Sequence, residues 1–314
     1  DWSGPFPQHI VNVTNIDKLP AFNNICENLG VRPTYFVDYA VADNDHAVEK
    51  MLSFTAKNNC EIGAHLHPWC NPPYFGDVGE AESHVVNLPS EQVYKKLDAL
   101  MSRIKAGFGV KPKSFRTGRW GIDKNVMALL VKSGITVDSS VYPFYENEYF
   151  SCNGASSLPY WPDLTNPLNR DSQNKIYELP VTVGFNRQNF EFANKVHRAF
   201  STPPLSWTRF NGLAWHTNLL RKTYLCPELS SSRDMLALCE TVIKKGYPIL
   251  HMYMHSSSML VNQNGLLGSQ QEPFEFITDA LSIVVNQLKS KYSIEFCTIS
   301  EAATKLNTMD TSAE

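Results

Sequence analysis

Leu19, Phe22, Ile25, Cys26 and Leu29 recur at steps of three and four residues, and Gly30 follows them. That period places all five on one helical face, with the glycine as its stop. Pro33-Thr34-Tyr35-Phe36-Val37 is β-branched and aromatic, so it predicts a strand, which ends at Asp38. Asp45 leads a helix that carries Val48, Met51 and Leu52, and a short apolar strand is expected from Cys60 to Leu66. Ser90 opens a long helix bearing Val93, Leu97, Leu100, Met101 and Ile104. Ser114-Phe115-Arg116 predicts another strand. Asp123 caps a helix with Val126, Met127, Leu129 and Leu130, which Gly134 ends. Ile135-Thr136-Val137 is a strand finishing at Asp138. Short apolar strands alternating with longer helices predict parallel βα units.

The rhythm breaks between about residues 141 and 228, where Asn, Ser and Pro accumulate and only Tyr177 to Val183 reads as a strand. This region is expected to be long loop insertions in the same domain. Alternation resumes with a helix over Ser232 to Lys245, a strand over Pro248 to Met254 and a helix over about 272–290. A strand over Ser293 to Thr298 and a short closing helix complete it. The sum is an α/β chain with about six or seven parallel strands in one domain over 1–314, and a strand before Asp1 would close a barrel.

Composition narrows the field. With 314 residues and 43% hydrophobic positions the chain can bury a full core. A net charge of −3 gives no electrostatic case for nucleic acid or an anionic membrane. No apolar run reaches the roughly 20 residues of a membrane helix, and no basic-then-apolar leader opens the sequence. Seven cysteines, an odd number without a CxxC pair, fit reduced core thiols and a cytoplasmic protein.

The chemistry centres on Glu61-Ile62-Gly63-Ala64-His65-Leu66-His67-Pro68-Trp69. Side chains alternate along a strand, so His65 and His67 project to the same side. Two imidazoles at a strand end suit a divalent metal if another element supplies a third ligand. In parallel barrels reactive groups gather where strands end. The candidates there are Asp38, His65, His67, Arg116, Asp138, Glu178 and His255, and Trp69, Trp120, Tyr142 and Trp161 are aromatic residues with broad apolar faces. Ordinary packing could equally account for each taken singly: Arg116 as an ion-pair partner of Asp138 or Glu178, His255 as a hydrogen-bonded core histidine.

Taken in order, Pro33 to Val37, Glu61 to His65, Phe115-Arg116-Thr117-Gly118 and a last strand ending in His255 resemble the polysaccharide deacetylase superfamily (NodB homology, carbohydrate esterase 4). Ala64-His65-Leu66-His67-Pro68-Trp69 and Met254-His255-Ser256-Ser257 look more like the branch found in O-antigen and surface-polysaccharide gene clusters. The resemblance implies a distorted (β/α)7 barrel in which one Asp and two His hold a divalent metal, usually zinc. It implies an Asp base oriented by Arg116, and His255 as the acid, with His251 the alternative. It matches His65 to the first metal histidine. The family's second histidine stands four residues later, where this chain has Trp69, so His67 would have to replace it. The acidic first strand is expected just upstream, with Asp1 as its remnant serving as metal ligand and base, and Asp38 is the alternative carboxylate. Without that strand's base the stretch would be inactive.

The implied activity is removal of an acetyl group from an N-acetylated sugar of a polysaccharide or its precursor. Trp69, Asp38, Trp120, Asp138 and Glu178 are the expected substrate contacts. The other readings are an amidase on a small non-sugar amide and a metal-free sugar-binding pseudoenzyme.

Overall fold

A computed structural model describes residues 6–9, 11–55, 59–172, 175–260 and 272–311. Asp1, expected as a metal ligand and base, lies outside them. The internal contacts group the chain into two compact units, Asp1–Pro180 with Glu295–Glu314, and Val181–Ile294.

In the first unit the alternation of apolar strands and helices becomes a parallel sheet. Helix α1 (Leu19–Leu29) leads to strand β1 (Thr34–Val37), a single helical turn α2 (Tyr39–Ala42), helix α3 (Asp45–Thr55) and strand β2 (Glu61–Leu66). Helix α4 (Ser90–Phe108), strand β3 (Ser114–Thr117), helix α5 (Lys124–Ser133) and strand β4 (Val137–Asp138) follow. Gly30, Gly109 and Gly134 end α1, α4 and α5 in the left-handed conformation, which glycine adopts without a Cβ penalty. Next come a hairpin of β5 (Pro162–Asp163) and β6 (Asn166–Arg170), and then strand β7 (Tyr177–Glu178). The sheet order is β1-β2-β3-β4-β7, all parallel. Leu97, Leu100 and Ile104 of α4, Met127 and Leu130 of α5, and Leu66 and Phe115 of the sheet are fully buried. Each such side chain removed from water is worth about 1.5–3 kcal/mol.

The chain returns to this unit as helix α10 (Ile299–Thr311), and one carboxylate fastens its start to the sheet. Glu61 accepts from Ser300 N (2.9 Å), Ser300 Oγ (2.5 Å), Ser114 Oγ (2.7 Å) and Thr34 Oγ1 (3.1 Å). A negative charge at a helix N-terminus also meets the positive end of the backbone dipole. Glu61→Ala is therefore expected to cost about 3 kcal/mol, since bonds to a charged acceptor are the strong ones. Urea denaturation measures it, and a loss below about 0.5 kcal/mol would remove Glu61 as the staple.

The second unit contains strands β8 (Val183–Phe185) and β9 (Lys222–Tyr224), which pair antiparallel, and helices α6 (Phe190–Ala199), α7 (Phe210–His216), α8 (Ser232–Lys244) and α9 (Pro273–Lys291). The region expected as loops thus holds two helices and parts of three strand pairings. Asn189 caps α6 by accepting from Phe192 N at 3.0 Å, a start signal that the surrounding Asn and Pro content obscured. Residues 248–254 and 293–298, expected as strands, carry no ladder among the described residues. Around His251 the extended chain makes single bonds instead, Thr182 N to His251 O (3.0 Å) and Tyr253 N to Leu225 O (3.2 Å). Tyr177 to Val183, expected as one strand, divides at Pro180, which has no N–H to give a ladder.

All seven cysteines are free thiols and five are buried. Burial pushes the Cys26 and Cys239 thiols up to about 12, so they stay protonated as core residues.

Candidate active site

His65 and Arg116 stand side by side, paired in register across β2 and β3. The His65 ring turns back so that Nδ1 lies 2.8 Å from the Arg116 carbonyl oxygen. A carbonyl can only accept, so Nδ1 carries the hydrogen and Nε2 carries the lone pair that a metal needs. His67 follows one residue past the last ladder pair, Leu66 with Thr117. Its ring centroid lies 4.4 Å from that of His65 at 84°, so the two imidazoles converge as the alternation required.

The surroundings fix His67 from two sides. Trp69 packs against it at 4.3 Å between centroids. On the other side Gly118 donates its N–H to Leu66 O (2.9 Å), and a Cβ at Gly118 would strike the His67 ring and lie 2.6 Å from Leu66 O. Only glycine permits that approach. The loop after His67 is tied down by Lys96, whose buried Nζ donates to Pro68 O (2.8 Å), Asn71 O (2.5 Å) and Pro73 O (2.9 Å). Burial lowers the Lys96 ammonium to about 8.

Two converging imidazoles, that of His65 with its Nδ1 hydrogen set by a backbone carbonyl, fit two positions of a zinc-type site. Among the described residues no group of three or more His, Cys, Asp or Glu completes such a site. The expected third ligand, Asp1, is not among them.

Arg116 is held by Ser139, donating from Nε to Ser139 O (3.0 Å) and from Nη2 to Ser139 Oγ (2.8 Å). Its guanidinium lies over the rings of Phe36 (4.6 Å) and Trp120 (5.0 Å). Trp120 in turn stacks on Tyr142 at 4.6 Å and 11°. Ser139 was not among the expected site residues, because a serine after a strand end carries no signal of its own. Beyond β3 three consecutive residues, Arg119, Trp120 and Gly121, take positive φ of 67°, 64° and 82°. Left-handed non-glycine residues cost of order 1 kcal/mol or more each, and such strain concentrates at functional sites. Here Arg119 is anchored to Glu80 (2.6 Å) and Ser83 Oγ (2.7 Å).

The expected substrate contacts lie deeper than the sequence suggested. Trp69, Trp120 and Tyr142 are buried within this packing. Trp161 leans on Tyr177 at 4.7 Å. Asp38 caps α2 by accepting from Val41 N at 2.9 Å, and burial raises its carboxyl above the usual range.

Asp138 and Glu178 are paired in register across β4 and β7, and neither is exposed to solvent at all. Ser140 Oγ donates to Asp138 Oδ1 (2.6 Å) and Val141 N to Glu178 Oε1 (3.1 Å). The other oxygens, Asp138 Oδ2 and Glu178 Oε2, have no donor among the described residues. One proton shared between the carboxyls satisfies both. Burial, and then the Asp138 charge, push the Glu178 carboxyl well up, and burial raises Asp138. From about pH 4.5 up to the folded value, the folded state keeps a proton that the unfolded chain has lost. Stability should therefore fall as pH rises through that window, by up to about 1.4 kcal/mol per pH unit. Glu178→Gln, whose amide can donate to Asp138, should flatten the slope in melting curves taken from pH 4.5 to 8. The same slope in the variant would count against the shared proton.

In the second unit His255 meets a carboxylate that the sequence did not single out. Its Nδ1 lies 2.9 Å from Glu228 Oε2, and its backbone N–H donates to Glu228 Oε1. Glu228 is buried, whereas the His255 side chain is partly open, so the carboxylate holds the ring from behind. The pair is separated by 27 positions, and nothing in a single sequence links them. His251, the alternative acid, is buried, with its N–H donated to Thr182 Oγ1 at 2.7 Å.

No family model matches the chain, and no curated protein matches it. Solved structures do. A candidate glycoside hydrolase/deacetylase from Parabacteroides distasonis aligns with a TM-score of 0.59 at 13% identity, over 95% of this chain and 68% of that one. A candidate polysaccharide deacetylase from Mycobacterium smegmatis aligns with a TM-score of 0.53 at 13% identity, over 95% of this chain and 78% of that one. The chain shares the α/β, parallel-sheet fold of these two proteins.

Proposed function

We propose that the chain is a metal-dependent hydrolase of the polysaccharide deacetylase superfamily, removing an acetyl group from an N-acetylated sugar of a polysaccharide or its precursor. The observation that supports it best is the His65–His67 pair beside Arg116, with the His65 tautomer set for metal ligation by a backbone carbonyl. The names of the two proteins that share the fold agree with this reading.

His65 and His67 would hold a divalent cation, zinc by its preference for imidazole, with Asp1 as the third ligand. Bound there, the cation supplies Lewis acidity to the acetyl group and makes water acidic enough to attack near neutral pH. Arg116, fixed by Ser139 and the two aromatic rings, presents a planar fork of donors that orients a carboxylate base. Asp1 is the residue we assign as that base. His255, steadied by Glu228, gives its proton to the departing amine nitrogen. One observation favours a second reading, a sugar-binding protein without catalysis: Trp69 occupies the position of the resembled family's second metal histidine.

Acetate release decides between them. The zinc-loaded chain should free acetate from N-acetylated chito-oligosaccharides and lose that activity in a chelator. Oligosaccharide binding without acetate release would establish the second reading instead.

A further inference from the structure

The net charge of −3 hides an uneven distribution. Residues 186–222 hold six basic side chains, Arg187, Lys195, Arg198, Arg209, Arg221 and Lys222, against Glu191 alone, a balance of +5 that leaves −8 on the rest of the sequence. The same stretch carries the three most exposed large apolar side chains among the described residues: Trp207 (77%), Phe192 (65%) and Leu213 (65%). Leu205 and Leu219 are exposed beside them in sequence.

These groups stand on ordered structure. Phe200 at the end of α6 packs on Phe210 at the start of α7, with centroids 4.1 Å apart. Asn211 Nδ2 bridges to His197 O and Ser201 Oγ, both at 2.9 Å. Lys195 lies three residues from Phe192 on α6, and Arg209 lies one turn before Leu213, whose N–H it accepts at 3.2 Å. On each of these helices an exposed apolar side chain therefore has a basic neighbour one turn away. Arg221 is paired with Asp234 at 2.8 Å.

We propose that residues 186–222 form a docking surface for an anionic phospholipid leaflet. Tryptophan, phenylalanine and leucine side chains enter the headgroup boundary, while lysine and arginine stems reach the phosphates. A protein partner is the weaker fit, since interface centres are depleted in charge and this patch interleaves charge throughout. No helix among the described residues is long and apolar enough to cross a membrane, so this surface would lie on the leaflet. The inference does not depend on the deacetylase reading. It also revises the expectation drawn from net charge alone, because a charge acts on a surface only within about a Debye length of 8–10 Å.

The test is sedimentation of the full chain with large vesicles of phosphatidylcholine containing about a third phosphatidylglycerol. The chain should co-sediment with these, and not with pure phosphatidylcholine. Lys195→Glu with Arg209→Glu should weaken binding by at least about tenfold, given about fivefold for each basic group lost. Trp207→Ser with Phe192→Ser should weaken it comparably. Ile283→Ser, at an exposed apolar position on α9, should leave it unchanged. Circular dichroism checks that the variants are folded, which exposed positions permit. Equal sedimentation with both vesicle types, or wild-type binding by the Trp207/Phe192 variant, would overturn the proposal. So would a wild-type dimer, abolished by that variant, together with no vesicle binding.

Discussion

His65→Ala should leave the chain without bound divalent metal while its fold survives. The His65 side chain lies at the end of β2, only half-buried, and its removal takes away one imidazole and the bond from Nδ1 to Arg116 O. Zinc affinity should fall by at least about a hundredfold, the scale lost when even an outer hydrogen-bond partner of a ligand is removed. Turnover should fall by about a thousandfold or more, matching the several kcal/mol a Lewis acid contributes. Elemental analysis of wild type, His65→Ala and His67→Ala, purified side by side after zinc loading, checks the first part. About one zinc per wild-type chain, lost in both variants, is the expected pattern. Unchanged occupancy in His65→Ala would end the assignment of the site.

His255→Ala should behave oppositely, keeping its metal and losing turnover. A proton donor positioned for the leaving group contributes about 10²–10⁴ in rate. Removal of the ring takes a hydrogen bond from the buried Glu228 carboxylate, so some loss of stability is expected as well. Glu228→Gln separates the two effects. It can keep a hydrogen bond to the ring while removing the charge behind it, and should lower kcat by about tenfold with KM little changed. Full activity in His255→Ala would exclude the residue as the acid, and His251→Ala would then be the variant to assay.

Much of the scaffold was legible because its signals are local. The 3.6-residue apolar period marked α1, α4, α5, α8 and α9, and Gly30 and Gly134 marked the ends of α1 and α5. The expected strands from Pro33 to Asp138 all appear, in parallel order. The region from 141 to 228 was opaque, since its helices are short and set among Asn, Ser and Pro that favour turns. Of the two strands expected near the C-terminus, residues 248–254 make isolated backbone bonds among the described residues, and Thr298 accepts the first turn of α10. Only His251 and Tyr253 in the first and Thr298 in the second are buried, and apolar composition alone does not specify a ladder.

The sequence by itself determined that His65 and His67 share a face, because strand alternation is fixed by backbone geometry. It also placed Arg116 on a short strand, while the pairing of that strand with β2 came from the tertiary structure. Only the tertiary structure decided which nitrogen of His65 bears the hydrogen, that Ser139 holds Arg116 and that Gly118 makes room for His67. It alone drew Asp138 and Glu178 together into a carboxyl pair and placed Glu228 behind His255. Each of these joins residues far apart in the chain, and such a meeting depends on register and packing that no local pattern encodes.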